Sequence, residues 1–582
     1  MLRILLGRAR TGKSARVLEE IRALGDSSQQ ILLVPEHASH VAEVDVCRAC
    51  GPTASRHAEV LTFKLLASRV LTLTGGAAEV TLDNGGKLLL LQRVLVSLAP
   101  SLRVYRRPSQ RAAFLESLLA LIEELQAYAV APEVLAEKAE AIAGESGERL
   151  RDVALLYGAY LAKLHEGGRD ARDRLEKLEE NLAASGYADN KDIFLDGFSY
   201  FTGRERNILR ILLKRAKSVT VTLLGDGSDS ELFAEGLRVR EQLYALARDA
   251  GVPCTEEVLR GGAPRDALGH VEKHFFGGNV RWDEPTEQLR LYEASTAYDE
   301  AERIAAEILR LVRCEGYRFR DITVTSRDMD AAEPVLRTVF ARCGIPLYCA
   351  RRSDILRRGV PALLLGALDA VSGGFEYEDV FRCLKTGLAG LSAEECDLLE
   401  NYVIKWDIRG AMWTRDVPWT AHPEGYGVPW RTEHEEMLAR VNAAREKVRA
   451  PLSHLYEGVR GTGDVEGKVT ALYNYLTEIA LPEELQRQTE TLWQRGETQR
   501  AEELAQLWNV LCGVLDQFVE MLGGTELDVE EFARLMRLVL TQYSVGTIPV
   551  SLDRVSLAEM TRNDRHAVRV LRLVEGDEIF LI

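Results

Sequence analysis

The sequence predicts an α/β protein built from two P-loop-type cores, each interrupted by a large helical insertion, and three observations carry that prediction. A phosphate-loop pattern, Gly7-Arg8-Ala9-Arg10-Thr11-Gly12-Lys13-Ser14, follows an apolar strand-like run and opens a helix-like stretch. Strand patterns lapse after residue 84 and return at 192–196 and 218–224. A second strand–helix–strand pattern starts at 289 and is completed only after 546.

The elements follow in chain order. Residues 2–6 are a short apolar run, 14–23 have helical spacing, and 31–34 form another apolar run ending at Pro35, which together make a βαβ opening. Residues 1–84 are therefore assigned to the first core. Leu/Ala/Glu-rich helical periodicity at 112–129 and 150–164 marks 85–185 as a helical insertion, and 186–280 as the first core continued. The Gly, Pro and charge content of 261–285 suits an interdomain crossing. The second core, 285–360, is expected to hold a strand at 289–292, a helix at 299–312 and a strand at 321–325. Helices dominate a second insertion, 361–545, broken by a Trp/Pro-rich loop at 406–430, and strand-like pieces at 555–557 and 568–574 return the chain to the second core over 546–582.

Composition narrows the function classes. At 582 residues, with 46% hydrophobic and 28% charged residues, the chain can bury a sizeable core, and about four packing units are expected. The 73 basic residues against 89 acidic ones give a net charge of −16, which excludes a polycation that coats nucleic acid by bulk charge. No stretch approaches the roughly 20 apolar residues of a membrane helix. The apolar opening reaches Gly7 too soon for a secretory signal. Nine scattered cysteines fit a reducing compartment and free thiols. A cytoplasmic location without membrane contact is the expectation.

The loop at 7–14 carries the chemistry. Its glycines let backbone N–H groups turn inward around phosphate oxygens, Lys13 would reach the terminal phosphates, and the Ser14 hydroxyl would hold Mg²⁺. The helix that follows adds its amino-terminal partial positive charge. A second Mg²⁺ ligand is expected at the tip of a neighbouring strand, and Asp196 after Ile193-Phe194-Leu195 supplies it; the alternative is a plain strand-end turn residue. A hydrolase would place a glutamate next, to activate water, and this chain has Gly197. Because general-base assistance is worth about 10² to 10⁴ in rate, nucleotide binding with slow or no hydrolysis is expected.

These pieces in this order resemble a superfamily 1 helicase core with RecA-like domains, and the chain is similar to the AddB family of bacterial AddAB helicase–nucleases. Besides the loop, Pro35-Glu36-His37-Ala38 resembles the family's P-E-Q-A segment, and Val60-Leu61-Thr62-Phe63-Lys64-Leu65-Leu66-Ala67 its V-x-S-F-x-R-L-A segment. Asp196-Gly197-Phe198 with Phe201-Thr202 resembles D-G-F-x-x-F-T. Further matches are Phe381-Arg382-Cys383-Leu384-Lys385-Thr386-Gly387-Leu388, Leu399-Glu400-Asn401-Tyr402, and Ile548-Pro549 with Asp553-Arg554-Val555. The resemblance implies an ATP-binding subunit that scans single-stranded DNA for the Chi sequence during double-strand break repair, acting on single- and double-stranded DNA with an AddA-like helicase and nuclease partner.

The resemblance also sets expectations for individual residues. Arg327, after Ile322-Thr323-Val324-Thr325-Ser326, resembles the motif IV arginine that reaches the γ-phosphate, the alternative being a surface arginine. Gly225-Asp226 resembles the start of G-D-x-x-Q, but Asp229 stands where the glutamine would be, and there is no room for the upstream glutamine segment. Family members are about twice as long; their nuclease domain and the four cysteines of a 4Fe–4S cluster are not expected here, and a second core cut short would need a partner or be poorly soluble.

Two further groups are candidates. Arg103, Arg106, Arg107 and Arg111 beside Tyr105, and Arg351, Arg352, Arg357 and Arg358, could line a groove for DNA phosphates, with Tyr105 or Phe63 as a base-stacking face; solvated helix faces are the alternative. His37, His40, Cys47 and Cys50 are zinc-ligand types, but their spacing reads better as a helix. Two rival functions stay open: an autonomous superfamily 1 DNA helicase or DNA-dependent ATPase, and a P-loop small-molecule kinase.

Overall fold

The computed structural model describes residues 1–582 except 52, 76–81, 107–111, 167–173, 229, 261–265, 275–279, 350–352, 546–552, 560–569 and 575–582. The first sheet contains β1 (Leu2–Gly7), β2 (Gln30–Leu33), β3 (Ala58–Leu61), β4 (Asp192–Leu195), β5 (Ser218–Leu224) and β6 (Cys254–Leu259) in the order β3-β2-β4-β5-β1-β6. Every neighbouring pair is parallel. Such a sheet needs both faces covered, and β1 shows how: Leu2, Ile4 and Leu6 enter one apolar cluster while Leu5 enters another on the opposite face. The second cluster joins Leu5 to Val17 and Ile21 of the helix Lys13–Leu24, which we label α1.

Two elements of this unit differ from the sequence reading. Helix Arg174–Ser185, expected in the helical insertion, buries Leu178 and Leu182 in the core of the first sheet. β6, absent from the sequence reading, pairs with β1 from Leu2↔Cys254 to Gly7↔Leu259. Its Glu256 and Glu257 obscure the strand pattern, because an edge strand tolerates exposed charge that an inner one does not.

The second sheet forms from β7 (Ile322–Ser326), β8 (Leu347–Cys349), β11 (Val555–Glu559) and β12 (Val570–Val574), all parallel, in the order β12-β7-β11-β8. Between β8 and β11 in the chain, β9 (Ser353–Asp354) and β10 (Ser544–Val545) pair antiparallel. The expected strand at 289–292 does not form. Leu291 is 56% exposed. The segment is fastened to helix Ala297–Cys314 instead, by an Arg290–Glu307 ion pair at 3.2 Å and by the Arg303 guanidinium 4.4 Å from the Tyr292 ring centre. Apolar alternation marks a chain able to be a strand, but a strand also needs a neighbour for its N–H and C=O groups.

The two helical insertions are not separate bodies. Helix Asn84–Leu98 contributes Leu88 to Leu91, Val94 and Leu95 to one apolar cluster that also takes in Leu363, Leu364, Leu368, Phe518, Met536 and Leu540 from the distant second insertion. Asp83, which caps the Asn84–Leu98 helix through the Gly86 N–H at 2.9 Å, also accepts hydrogen bonds from Tyr543 Oη and Gln517 Nε2, both at 2.8 Å. The Trp/Pro-rich stretch is likewise packed: Trp413 is 2% exposed and Trp419 stacks on Tyr402 at 5.3 Å. No helix among the described residues is long and apolar enough to cross a membrane, and the nine cysteines are free thiols.

A shared core makes a prediction. Leu91, fully buried, is expected to cost about 2–5 kcal/mol when changed to alanine, and the loss should reach both insertions. Hydrogen exchange checks it: faster exchange in 84–98 and also in 529–541 is expected, whereas an effect confined to the first insertion would show two independent cores.

Candidate functional site

In a wholly parallel sheet all carboxyl ends lie along one edge, which is where a crevice for ligands forms. Gly7 ends β1 at that edge, and the loop 8–12 carries the chain into α1. Two residues of the loop have left-handed backbone, Arg10 at φ 60° and Gly12 at φ 89°. Gly7 is favoured by space rather than conformation, since a Cβ there would lie 2.2 Å from Thr11 Oγ1 and would force that hydroxyl off Arg8 O. The Thr11 hydroxyl and the Lys13 ammonium converge on the same carbonyl: Thr11 Oγ1 donates to Arg8 O at 3.0 Å, and Lys13 Nζ donates to Gly7 O at 2.7 Å and Arg8 O at 2.8 Å. Burial pulls the Lys13 ammonium below the usual lysine range, and the Asp196 carboxylate opposes that pull. The structure thus brings Lys13 and Asp196 into one electrostatic neighbourhood.

Asp196 follows β4 and is positioned from two sides. Its N–H donates to Leu33 O of β2 at 3.0 Å, and Thr222 Oγ1 of β5 donates to its Oδ1 at 2.5 Å. Thr222, 2% exposed, is a site residue that sequence reasoning missed. Its signal was present in the Thr220/Thr222 alternation of an otherwise apolar strand, polar groups that a buried strand keeps only if they are bonded. Gly197 has φ 82°, so the position where a glutamate would stand is held in a backbone conformation that costs an L-residue about 1–2 kcal/mol. Ser14, half-buried in the first turn of α1, offers its hydroxyl on the same helix as Lys13. Ala9 and Arg10 are exposed.

The Arg8 side chain leaves the loop altogether. Its Nε lies 2.8 Å from Glu272 Oε1, one terminal nitrogen 3.4 Å from Asp226 Oδ2 and the other 3.2 Å from Glu272 O, with the guanidinium 5.4 Å from the Phe233 ring centre. Sequence reading had no access to this, because residues 8, 226 and 272 meet only when β1, β5 and helix Ala267–His274 are assembled.

The other candidates fare differently. Phe63 is 5% exposed and packs edge-on against Phe198 at 5.6 Å, so it is a core residue and offers no free stacking face, a correction to its expected role. It opens helix Phe63–Thr74, where its ring completes the apolar face under β3 and β4. Tyr105 is half-buried against Phe114 at 5.0 Å, and Arg106 beside it is exposed. The turn is held by the buried Asp152 carboxylate, which accepts the N–H groups of Arg103, Val104 and Tyr105 at 2.9 to 3.1 Å. Arg103 pairs with Glu148 at 3.0 Å and Arg358 with Glu503 at 2.7 Å. Arg107, Arg111, Arg351 and Arg352 lie outside the described residues. Arg327 is exposed directly after β7, at the carboxyl edge of the second sheet. His37, His40 and Cys47 are exposed, and among the described residues no three potential metal ligands gather.

Comparison with known proteins follows the same lines. Residues 4–272 match the family described as ADDB, N-terminal. Over 99% of its length the chain is 30% identical to an ATP-dependent helicase/deoxyribonuclease subunit of Acetivibrio thermocellus, covering 52% of that protein. It is 30% identical to the protein of the same name from Clostridium botulinum strain Loch Maree, over 100% of this chain and 52% of the relative. For the Caldanaerobacter subterraneus subsp. tengcongensis protein of the same name the figures are 31%, 99% and 51%. The chain spans about half the length of the curated relatives it matches. The chain is thus similar along nearly its whole length to about half of each of these helicase/deoxyribonuclease subunits, and residues 4–272 carry the match to the family described as ADDB, N-terminal.

Proposed function

We propose that the chain binds MgATP at the carboxyl edge of its first sheet and serves as the helicase-like, DNA-scanning part of a bacterial ATP-dependent helicase/exonuclease in double-strand break repair by homologous recombination. The observation that carries this reading is the convergence of Lys13, Asp196 and Thr222 at a glycine-bounded loop, with Ser14 next to Lys13 in the first turn of α1. Gly7 supports a phosphate cradle, since a side chain there would fill the loop. Ser14 and Asp196 are oxygen donors of the kind Mg²⁺ takes, and the ion's role would be to bridge and neutralise phosphate oxygens. Lys13 would exchange the loop carbonyls for phosphate oxygens, and Thr222 would keep Asp196 oriented.

In this reading the two parallel sheets are the two RecA-like cores of a superfamily 1 helicase, and Arg327 reaches toward the nucleotide from the second. Hydrolysis is slow or absent, because Gly197 offers no carboxylate to activate water. DNA phosphates meet Arg106 and Arg107 of the first insertion and Arg351 and Arg352, with Tyr105 as a base-stacking face, while an AddA-like partner supplies the motor. Nuclease chemistry and a 4Fe–4S cluster are placed outside these residues, and the complex works in the cytoplasm on single- and double-stranded DNA.

Three measurements test the reading. Saturable binding of a fluorescent ATP analogue with Mg²⁺ is expected, weakened about tenfold or more by Lys13→Ala and abolished by Gly7→Ala; unchanged binding in both variants would remove the nucleotide site. Steady-state turnover by the wild type should stay low with single-stranded DNA. Rapid DNA-stimulated turnover by the purified chain would favour an autonomous motor, and transfer of phosphate to a small acceptor without DNA a kinase. Arg106→Ala together with Arg351→Ala should weaken single-strand binding equally across sequences and flatten its salt dependence.

A further inference from the structure

Arg8 belongs to two structures at once. Its carbonyl is the hub of the loop, accepting from the Lys13 ammonium at 2.8 Å and the Thr11 hydroxyl at 3.0 Å. Its guanidinium is gripped by Glu272 and Asp226 and lies over Phe233. Glu272 sits on helix Ala267–His274, in the crossing between the two α/β units, and that helix is tied onward. Asp266 caps it, accepting the Gly269 N–H at 2.9 Å with one oxygen and Gln288 Nε2 at 2.8 Å with the other. His270 Nε2 meets Val280 O at 2.8 Å, and its ring lies 5.3 Å from that of Trp282. Residues 280–288 then lead into the segment fastened to helix Ala297–Cys314 beside the second sheet.

We propose that Arg8 is a positioning residue that couples the phosphate loop to this crossing, so that occupancy of the loop and the placement of helix Ala267–His274 are energetically linked. The inference rests on the nucleotide reading above and adds to it the route by which the second unit senses the nucleotide. Phosphate oxygens draw the Lys13 ammonium away from Arg8 O, and the Arg8 peptide must then relax. Its side chain, a planar fork held from two directions, transmits that movement to Glu272 and Asp226. Such ion pairs, about a third exposed, are individually weak, so the link biases an equilibrium rather than locking it. Coupling is reciprocal: if nucleotide strains the grip, removing the grip tightens nucleotide.

The test is a double-mutant cycle on the full chain, read by binding of a fluorescent ATP analogue with Mg²⁺. Glu272→Ala is expected to tighten binding about fivefold or more, and in the Arg8→Ala background the same change should move affinity less than about twofold. Equal tightening in both backgrounds would mean that the carboxylate acts on the phosphates through space, and would overturn the role of Arg8. Weaker binding in Glu272→Ala would overturn the sign. Hydrogen exchange supplies a second readout: MgATP should alter exchange across 267–274 in the wild type and in the charge-preserving Arg8→Lys variant less so or not at all. An identical nucleotide response in Arg8→Lys also counts against the coupling. Absence of saturable binding in the wild type would instead remove the nucleotide site, and the coupling with it.

Discussion

Parallel pairing of every strand in the first sheet is the constraint on which the rest of the molecule depends. A chain that leaves one parallel strand must cross over before it can enter the next, so each connection carries a helix or something larger. The connection from β3 to β4 is the largest, and it holds the first helical insertion. The same constraint puts Gly7, Asp196 and Gly225 along one edge, with β5 between the strands that bear the loop and the acid. Thr222 is the consequence: it occupies the intervening strand and bonds across to Asp196.

Burial on both faces of that sheet also explains the strength of the local signal. β1, β2 and β4 are mostly apolar runs, because residues of alternating direction enter apolar clusters on both sides. The helical insertions answer to a different requirement. Helix Asn84–Leu98 is apolar around most of its circumference, with Leu88, Leu89, Leu90, Leu91, Val94 and Leu95 all buried, and a single insertion of ordinary amphipathic helices does not surround it. It is enclosed by helices that arrive several hundred residues later in the chain.

The phosphate loop shows how a motif and its surroundings divide the work. Gly7 and Gly12 answer needs internal to the loop, one of space and one of backbone conformation. Arg8 answers to residues 226 and 272, which have no part in the motif. Gly197 belongs to the same account: its left-handed backbone is compatible with the turn after Asp196 and poorly suited to a carboxylate-bearing residue, so local geometry and the absent water-activating group agree.

Sequence was enough for the strands β1, β2, β4, β5 and β7, the loop at 7–14 with an acid, Asp196, at the end of β4, and the resemblance to AddB. Each of these rests on residues close in the chain: a run of apolar side chains, a glycine spacing, a strand followed by an acid. Tertiary structure alone decided what depends on distant partners. It withheld a strand from 289–292, which is fastened to a helix instead, and made one of 254–259, which lies beside β1 despite its glutamates. It placed Phe63 in the core, merged two insertions into one apolar cluster, and turned Arg8 out of its loop toward Glu272. The physical reason is common to all five: periodicity reports which side chains seek burial, whereas pairing, enclosure and charge neutralisation are properties of the residue on the other side of the contact.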